Sequence, residues 1–290
     1  MSLVNLENLQ KDAIDKKYGL CAVEIWDLFS IKAFIDAAIE VRSPLILIIN
    51  TSVVKKFGIK PIVSLVKIYA ESTDIPIVLH LDECVESELM FKCIKEGFPS
   101  VMFDGAELGL DLSENIKQTQ EIVKYAHFMG VTVEASLGKM PLTKNGYTNN
   151  LSKSMIKTIP EEAGEFCFKT KIDNFAPSFG NYHECYKEVW PEPDYDLVKK
   201  IFQITGGVPI SAHGCTGISD EHVNEAIRSG IVKFNVGTLF QVSFRESMKK
   251  YIDKYEGYPA AFNICYDAMI DLKEYLKNKM VKVFKSAHKV

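Results

Sequence analysis

Asp82 and Glu83 stand side by side at the end of the apolar run 77–81, and Asp104 closes the next run, 100–103. Two of the six histidines, His183 and His213, come just after later runs of the same kind. Imidazole nitrogen and carboxylate oxygen are the donors that a divalent cation takes in a catalytic site with an open position, and a neighbouring carboxylate can move a proton. The same side chains would equally serve as the polar lining of a wet barrel mouth. Residues so far apart in sequence do not separate the two readings. The other histidines read differently. His80 falls inside an apolar run and is expected to be a hydrogen-bonded core residue, while His127, His222 and His288 fall on predicted helices or the tail.

A second pattern is a pair of glycine loops. Gly214-Cys215-Thr216-Gly217 follows one predicted strand, and Asn235-Val236-Gly237-Thr238 ends another. Glycine lets backbone approach a ligand, and the amides of turns and helix starts offer donors to an anion. Phosphate sites recur at this place in parallel barrels, although ordinary glycine turns would give the same pattern.

These residues need a scaffold that brings strand ends together. The stretch 76–105 shows the unit: a strand, the carboxylate pair, a helix with apolar residues near helical spacing, the stop at Gly97, and a second strand. Further strands are predicted at 20–25, 45–50, 132–135, 174–176, 208–212 and 232–236. Helices are predicted at 28–41, 61–71, 113–129 with Ser113 as cap, 160–169, 196–205, after Ser219, and 238–251. Eight such alternations imply a (β/α)8 TIM barrel occupying 1–290 as a single domain, with an additional C-terminal helix at about 259–285 that covers a barrel end or a subunit contact. An open doubly wound sheet is the alternative, but no GxGxxG follows the first strand. The polar segment 138–158 breaks the rhythm and reads as either a lid or an inert loop.

The chain has 290 residues, 47% of them apolar, and a net charge of −4, which argues against nucleic acid or an anionic membrane as partner. Seven cysteines without a CxxC pair read as reduced thiols. Charges early in the chain give no signal-peptide pattern, and the longest apolar run, 45–49, is too short to span a bilayer. The expectation is a cytoplasmic protein.

With these residues assembled, the chain resembles the class II, metal-dependent ketose-bisphosphate aldolases, including the fructose- and tagatose-bisphosphate enzymes. The resemblance runs from SPLILIIN to KFNVGTLFQ. It is carried by HLDE followed by CIKEGFPSVMFDG, by ENIKQTQEIVKYAHFMGVTVEASLG, by GNYHECYK and by AHGCTGISDEHVNEAIRSGIVKFNVGT. It implies reversible aldol cleavage of a ketose phosphate to dihydroxyacetone phosphate and an aldehyde, with Zn2+ or another divalent metal as Lewis acid. By position, Asp82 is the acid/base at the cleaved hydroxyl, and Glu83, His183 and His213 are the metal ligands. Asp104 and Glu134 match the acids behind them, or hosts for a second metal. Lys187, Gly214, Thr216, Asn235, Gly237 and Thr238 match residues that hold the substrate and its phosphate. The implied partners are a phosphorylated sugar and further copies of the chain, as a homodimer or homotetramer.

Several positions depart from the family pattern. Glu83 stands where the first ligand is a histidine, Ser136 where a second acid is usual, and Glu184 where a glycine follows the second ligand. The segment 138–158, where the family carries an acid, has no Asp or Glu but four lysines: Lys139, Lys144, Lys153 and Lys157. Glu24, Ile48 and Asn50 also replace family residues. The departures leave a second reading, a catalytically silent barrel that binds a sugar phosphate as sensor or partner subunit. A third, an isomerase or epimerase, would use Asp82 with Glu83.

Overall fold

Short aliphatic runs bounded by turns form parallel strands buried on both faces, as a barrel wall requires. The structure, a computed structural model, describes residues 3–151, 154–190, 193–258 and 260–290. In chain order, α1 (Glu7–Lys16) precedes β1 (Leu20–Glu24), followed by α2 (Leu28–Val41), β2 (Leu45–Asn50), α3 (Thr51–Phe57), α4 (Ile59–Glu71) and β3 (Ile77–Cys84). Next come α5 (Ser87–Glu96), β4 (Ser100–Phe103), α6 (Leu112–Phe128), β5 (Thr132–Leu137) and a hairpin of β6 (Thr143–Lys144) and β7 (Tyr147–Leu151). Then follow α7 (Pro160–Thr170), β8 (Asn174–Pro177), α8 (Tyr195–Ile204), β9 (Ile210–Ala212), α9 (Asp220–Arg228), β10 (Ile231–Val236), α10 (Thr238–Lys254) and α11 (Ala261–Lys282). Eight strands, β1 to β5 and β8 to β10, pair in chain order, and β10 closes on β1. The chain is a (β/α)8 barrel, as the alternation implies.

Side chains alternate across each strand. Cys21 and Val23 pack outward against the helices, whereas Leu20 and Ala22 point inward with Ile46, Ile48, Val78 and Val232. The same alternation carries Glu24, Asn50 and Asp82 to the inner face at the carboxyl ends of β1, β2 and β3, where Asn50 and Asp82 are register partners. At the opposite end α1 and the residues flanking it pack Leu6, Ala13 and Tyr18 against the inner residues.

Two irregularities break the alternation, and both serve the barrel mouth. The β3–β4 pairing shifts register between Leu81 and Cys84, and Glu83 adopts a left-handed φ of 47°. Neighbours that would face opposite sides, Asp82 and Glu83, thereby both reach the cavity. The β9–β10 pairing shifts between Ile231 and Lys233, so Val232 and Lys233 both turn inward.

Helix ends follow local chemistry. Ser219 caps α9 as expected, but the side chain that caps α6 is Asp111, not Ser113. The segment 138–158 is not an irregular loop, since it contains the β6–β7 hairpin; Lys153 lies outside the described residues. Helices α1 and α3 were not expected. The C-terminal helix α11 packs across α2 and α10 on the outer wall. No helix of the described residues is long and apolar enough to cross a membrane. All seven cysteines are free thiols.

Candidate active site

Loops and strand ends at the carboxyl side of the barrel enclose an open cavity of about 810 Å³. Asp82, Glu83, Asp104, His183, His213 and Asn235 line it, as do Gly214, Thr216, Gly237 and Thr238. Glu134 sits just behind, fully buried. Lys187 does not reach the lining; it is exposed, with its Nζ 5.5 Å from the centre of the Tyr186 ring. Among the described residues, the lining includes one arginine or lysine, Arg245, which is itself paired with Glu246 at 2.7 Å.

The cluster is wired through His213, which is 1% exposed. Its Nδ1 lies 3.1 Å from Glu83 Oε1, and its Nε2 lies 2.8 Å from Glu134 Oε1. Burial alone would strip the imidazole of its proton. The hydrogen bonds to Glu134 and Glu83, with the charge of Asp82, outweigh it and raise the pKa to about 10. In the metal-free protein both ring nitrogens thus face carboxylate acceptors, and a cation would take the place of the proton on the one it binds. Glu134 also faces Lys233 Nζ at 2.9 Å and accepts from Ser211 Oγ at 2.9 Å. Burial opposes its charge, but Lys233 and His213 hold its carboxyl well below the usual carboxylate range. Glu83 is likewise held low, burial being overcome by His183 and His213.

Asp82, Glu83 and His213 each present one donor atom, all within 4.8 Å of one another. His183 approaches the same centre with Nδ1 3.7 Å from Glu83 Oε1. Asn235 Nδ2 donates to both oxygens of Asp82 at 3.1 Å. Asp104 accepts from Ser136 Oγ at 2.6 Å and from the Glu107 amide at 3.0 Å. Burial and the charge of Glu83 push the Asp104 pKa up.

The glycine loops earn their residues by close approach. Gly214 has φ 71°, and a Cβ there would stand 2.1 Å from the carbonyl oxygen of Tyr182. The glycine thus lets the His183 loop lie against the His213 loop. A Cβ on Gly237 would stand 2.4 Å from Glu24 Oε2. Glu24 accepts from Asn50 Nδ2 at 2.6 Å and Gln241 Nε2 at 2.7 Å. Burial raises its pKa against those two hydrogen bonds. Thr216 Oγ1 accepts from the Leu239 amide at 3.2 Å, tying the two loops together.

His80 is the hydrogen-bonded core histidine expected, with Nδ1 2.7 Å from Ser100 Oγ. Its other nitrogen points at the site, 3.6 Å from Asp82 Oδ1 and 3.9 Å from Glu134 Oε2. Lys233 and Ser211 were missed as supports. A lysine in the middle of the apolar run 231–236 was the available signal, because a buried lysine needs a carboxylate.

A closed parallel barrel with acids and histidines gathered over its strand ends has the architecture of a TIM-barrel enzyme, and its similarities define the class as aldolase. The model of the family described as fructose-bisphosphate aldolase class-II matches residues 4–289, and the chain belongs to that family. It is 31% identical, over 100% of its length and 99% of the relative's, to a sulfofructosephosphate aldolase from Alkalicoccus urumqiensis. It is 33% identical to a fructose-bisphosphate aldolase from Geobacillus stearothermophilus, covering 88% of this chain and 87% of that one. The crystal structure of the YdjI aldolase from Escherichia coli K12 superposes with a TM-score of 0.81 at 26% identity, covering 99% of each chain. Aldol lyase chemistry is the chemistry of the family.

Proposed function

We propose that this chain is a metal-dependent lyase that reversibly cleaves a ketose phosphate to dihydroxyacetone phosphate and an aldehyde. The observation that supports this most is the convergence of Asp82, Glu83 and His213 donor atoms within 4.8 Å, beside two glycine loops in one cavity. The donor set suits a divalent cation such as Zn2+. Glu83, His183 and His213 would hold it, with Asp104 and Glu134 behind them. When bound, the cation supplies Lewis acidity to the substrate ketone.

The protein groups then have separable tasks. Asp82, aimed by the Asn235 amide, takes the proton of the hydroxyl at the breaking bond and returns it in the reverse direction. Glu134 and Lys233 fix the orientation of the His213 ring. The amides and hydroxyls around Gly214, Thr216, Gly237 and Thr238 receive the phosphate. Lys187 would reach it only by moving in from outside the lining.

The test is incubation of zinc-loaded protein with dihydroxyacetone phosphate in heavy water, following the carbinol proton by NMR with an EDTA-treated control. Metal-dependent loss of that signal is expected. A folded, zinc-loaded protein that causes no exchange, while the sugar phosphate still raises its melting temperature, would refute the lyase and favour the silent barrel. Glu83→Ala is expected to lower zinc affinity by about ten- to a hundredfold, read by calorimetry, while His288→Ala leaves it unchanged.

A further inference from the structure

Aldol chemistry moves two protons: one at the hydroxyl oxygen of the breaking bond, the other at the carbon that keeps the electron pair. Asp82 serves the first. Six carboxylates line the cavity: Glu24, Asp82, Glu83, Asp104, Glu107 and Glu184. Both oxygens of Glu24 are taken by Asn50 and Gln241. Asp82 is bound to Asn235, Glu83 to His213, and Asp104 to Ser136. Glu107 has a contact of its own. Of these six, and among the described residues, Glu184 is the one whose carboxylate has no hydrogen-bond or ion-pair partner.

Its backbone, by contrast, is firmly held. Thr143 Oγ1 donates to the Glu184 carbonyl at 2.8 Å, and the Thr143 amide donates to the His183 carbonyl at 3.1 Å. The His183 amide in turn donates to Pro141 O at 3.0 Å. Glu184 has φ 55°, a left-handed conformation that glycine adopts freely and a glutamate adopts under strain. Strain of this kind persists where surrounding structure enforces it, often where a side chain must be aimed. Pro141 and Thr143, just before and at the start of β6 in the acid-free segment, therefore clamp the residue next to His183, whose carboxylate lines the cavity.

Resting on the aldolase reading above, we propose that Glu184 is the catalytic residue that exchanges the proton at carbon. In the cleavage direction its carboxylic O–H breaks, the enediolate electron pair forms the new C–H bond, and Glu184 is left as a carboxylate that water reprotonates. In reverse the carboxylate removes the proton from the carbon beside the carbonyl of dihydroxyacetone phosphate, the C–H electron pair becomes the carbon–carbon double bond of the enediolate, and the carbonyl π pair moves onto oxygen. Tyr186, which also lines the cavity, is the competing proton carrier.

The heavy-water exchange of dihydroxyacetone phosphate by zinc-loaded protein decides between them. Glu184→Gln should slow exchange about a hundredfold, with zinc content and dihydroxyacetone phosphate affinity within about threefold of the parent. Glu184→Asp should keep part of the rate, and Tyr186→Phe nearly all of it. Exchange at the parent rate in Glu184→Gln would overturn the assignment alone. No exchange in the zinc-loaded parent would overturn the aldolase reading and this assignment together.

Discussion

At the scale of single residues, the site is organised by one imidazolium between two carboxylates. His213 gives one N–H to Glu83 and the other to Glu134, and Glu134 is balanced from behind by Lys233. With its pKa raised from 6.5 to about 10, His213 contributes stability that is complete below pH 6.5 and is lost as pH rises through about 10. Metal-free protein should therefore melt at falling temperatures as pH climbs through that window, and His213→Gln should flatten this slope. A parent whose metal-free melting temperature is level from pH 6.5 to 10 would contradict the wiring. Lys233 and Glu134 are both 0% exposed, so removing one partner strands a buried charge. Lys233→Met is expected to destabilise by about 3–5 kcal/mol in urea unfolding, and the added change Glu134→Gln to restore part of that. The histidines and acids of this cluster were legible by residue type. Lys233 was not, because attention to periodicity absorbs a lone lysine into a strand.

At the scale of elements, the strands were legible and the geometry at their ends was not. Parallel strands buried on both faces read as continuous aliphatic runs, so LILII announces β2 without any partner being known. The β3 irregularity leaves no such mark. Strict alternation would send Asp82 and Glu83 to opposite faces, and only the left-handed turn at Glu83 brings both to the cavity. Helix α3 follows β2 directly and is capped by Asn50, whose side-chain oxygen accepts from Ser52 and Val53 amides, so no loop signal separates the two. The loop–loop contact at Gly214 is an element-level device with a clean test. Gly214→Ala would drive a Cβ to within 2.1 Å of Tyr182 O, whereas Gly109, with φ 70°, has nothing within 4 Å of its Cβ position. Gly109→Ala should cost about 1 kcal/mol from φ alone. Gly214→Ala should cost about 2–3 kcal/mol or more, and should also weaken zinc binding by shifting His183 away from His213. Equal losses at the two glycines, with zinc binding intact, would show that the contact is not what that glycine serves.

At the scale of the molecule, chemistry and stability occupy opposite ends of the barrel. The carboxyl ends carry the acids, histidines and open cavity, while the other end is packed by α1 and its flanks through Leu6, Ala13 and Tyr18 against Leu20 and Val232. Helix α1 is ten residues rich in charge, and the apolar faces it meets belong to strands far along the chain, so periodicity alone did not single it out. In the fold it buries Leu6 to 1% exposure and sets the Leu6 amide 3.4 Å from Thr132 Oγ1 on β5. Truncating that side chain opens a void that a closed barrel wall cannot collapse to fill, so Leu6→Ala should destabilise by about 2–5 kcal/mol. The loss should not travel, because Leu6 meets the aliphatic layer of the interior, whereas the polar path from α1 to the site runs from Gln10 through Asn174 and Ser211 to Glu134 and is left intact. Chemical unfolding should thus show a large shift in midpoint, while zinc affinity and heavy-water exchange, measured well below the transition, stay at parent values. If zinc affinity falls in step with stability, the two ends are coupled through the barrel interior and are not separate.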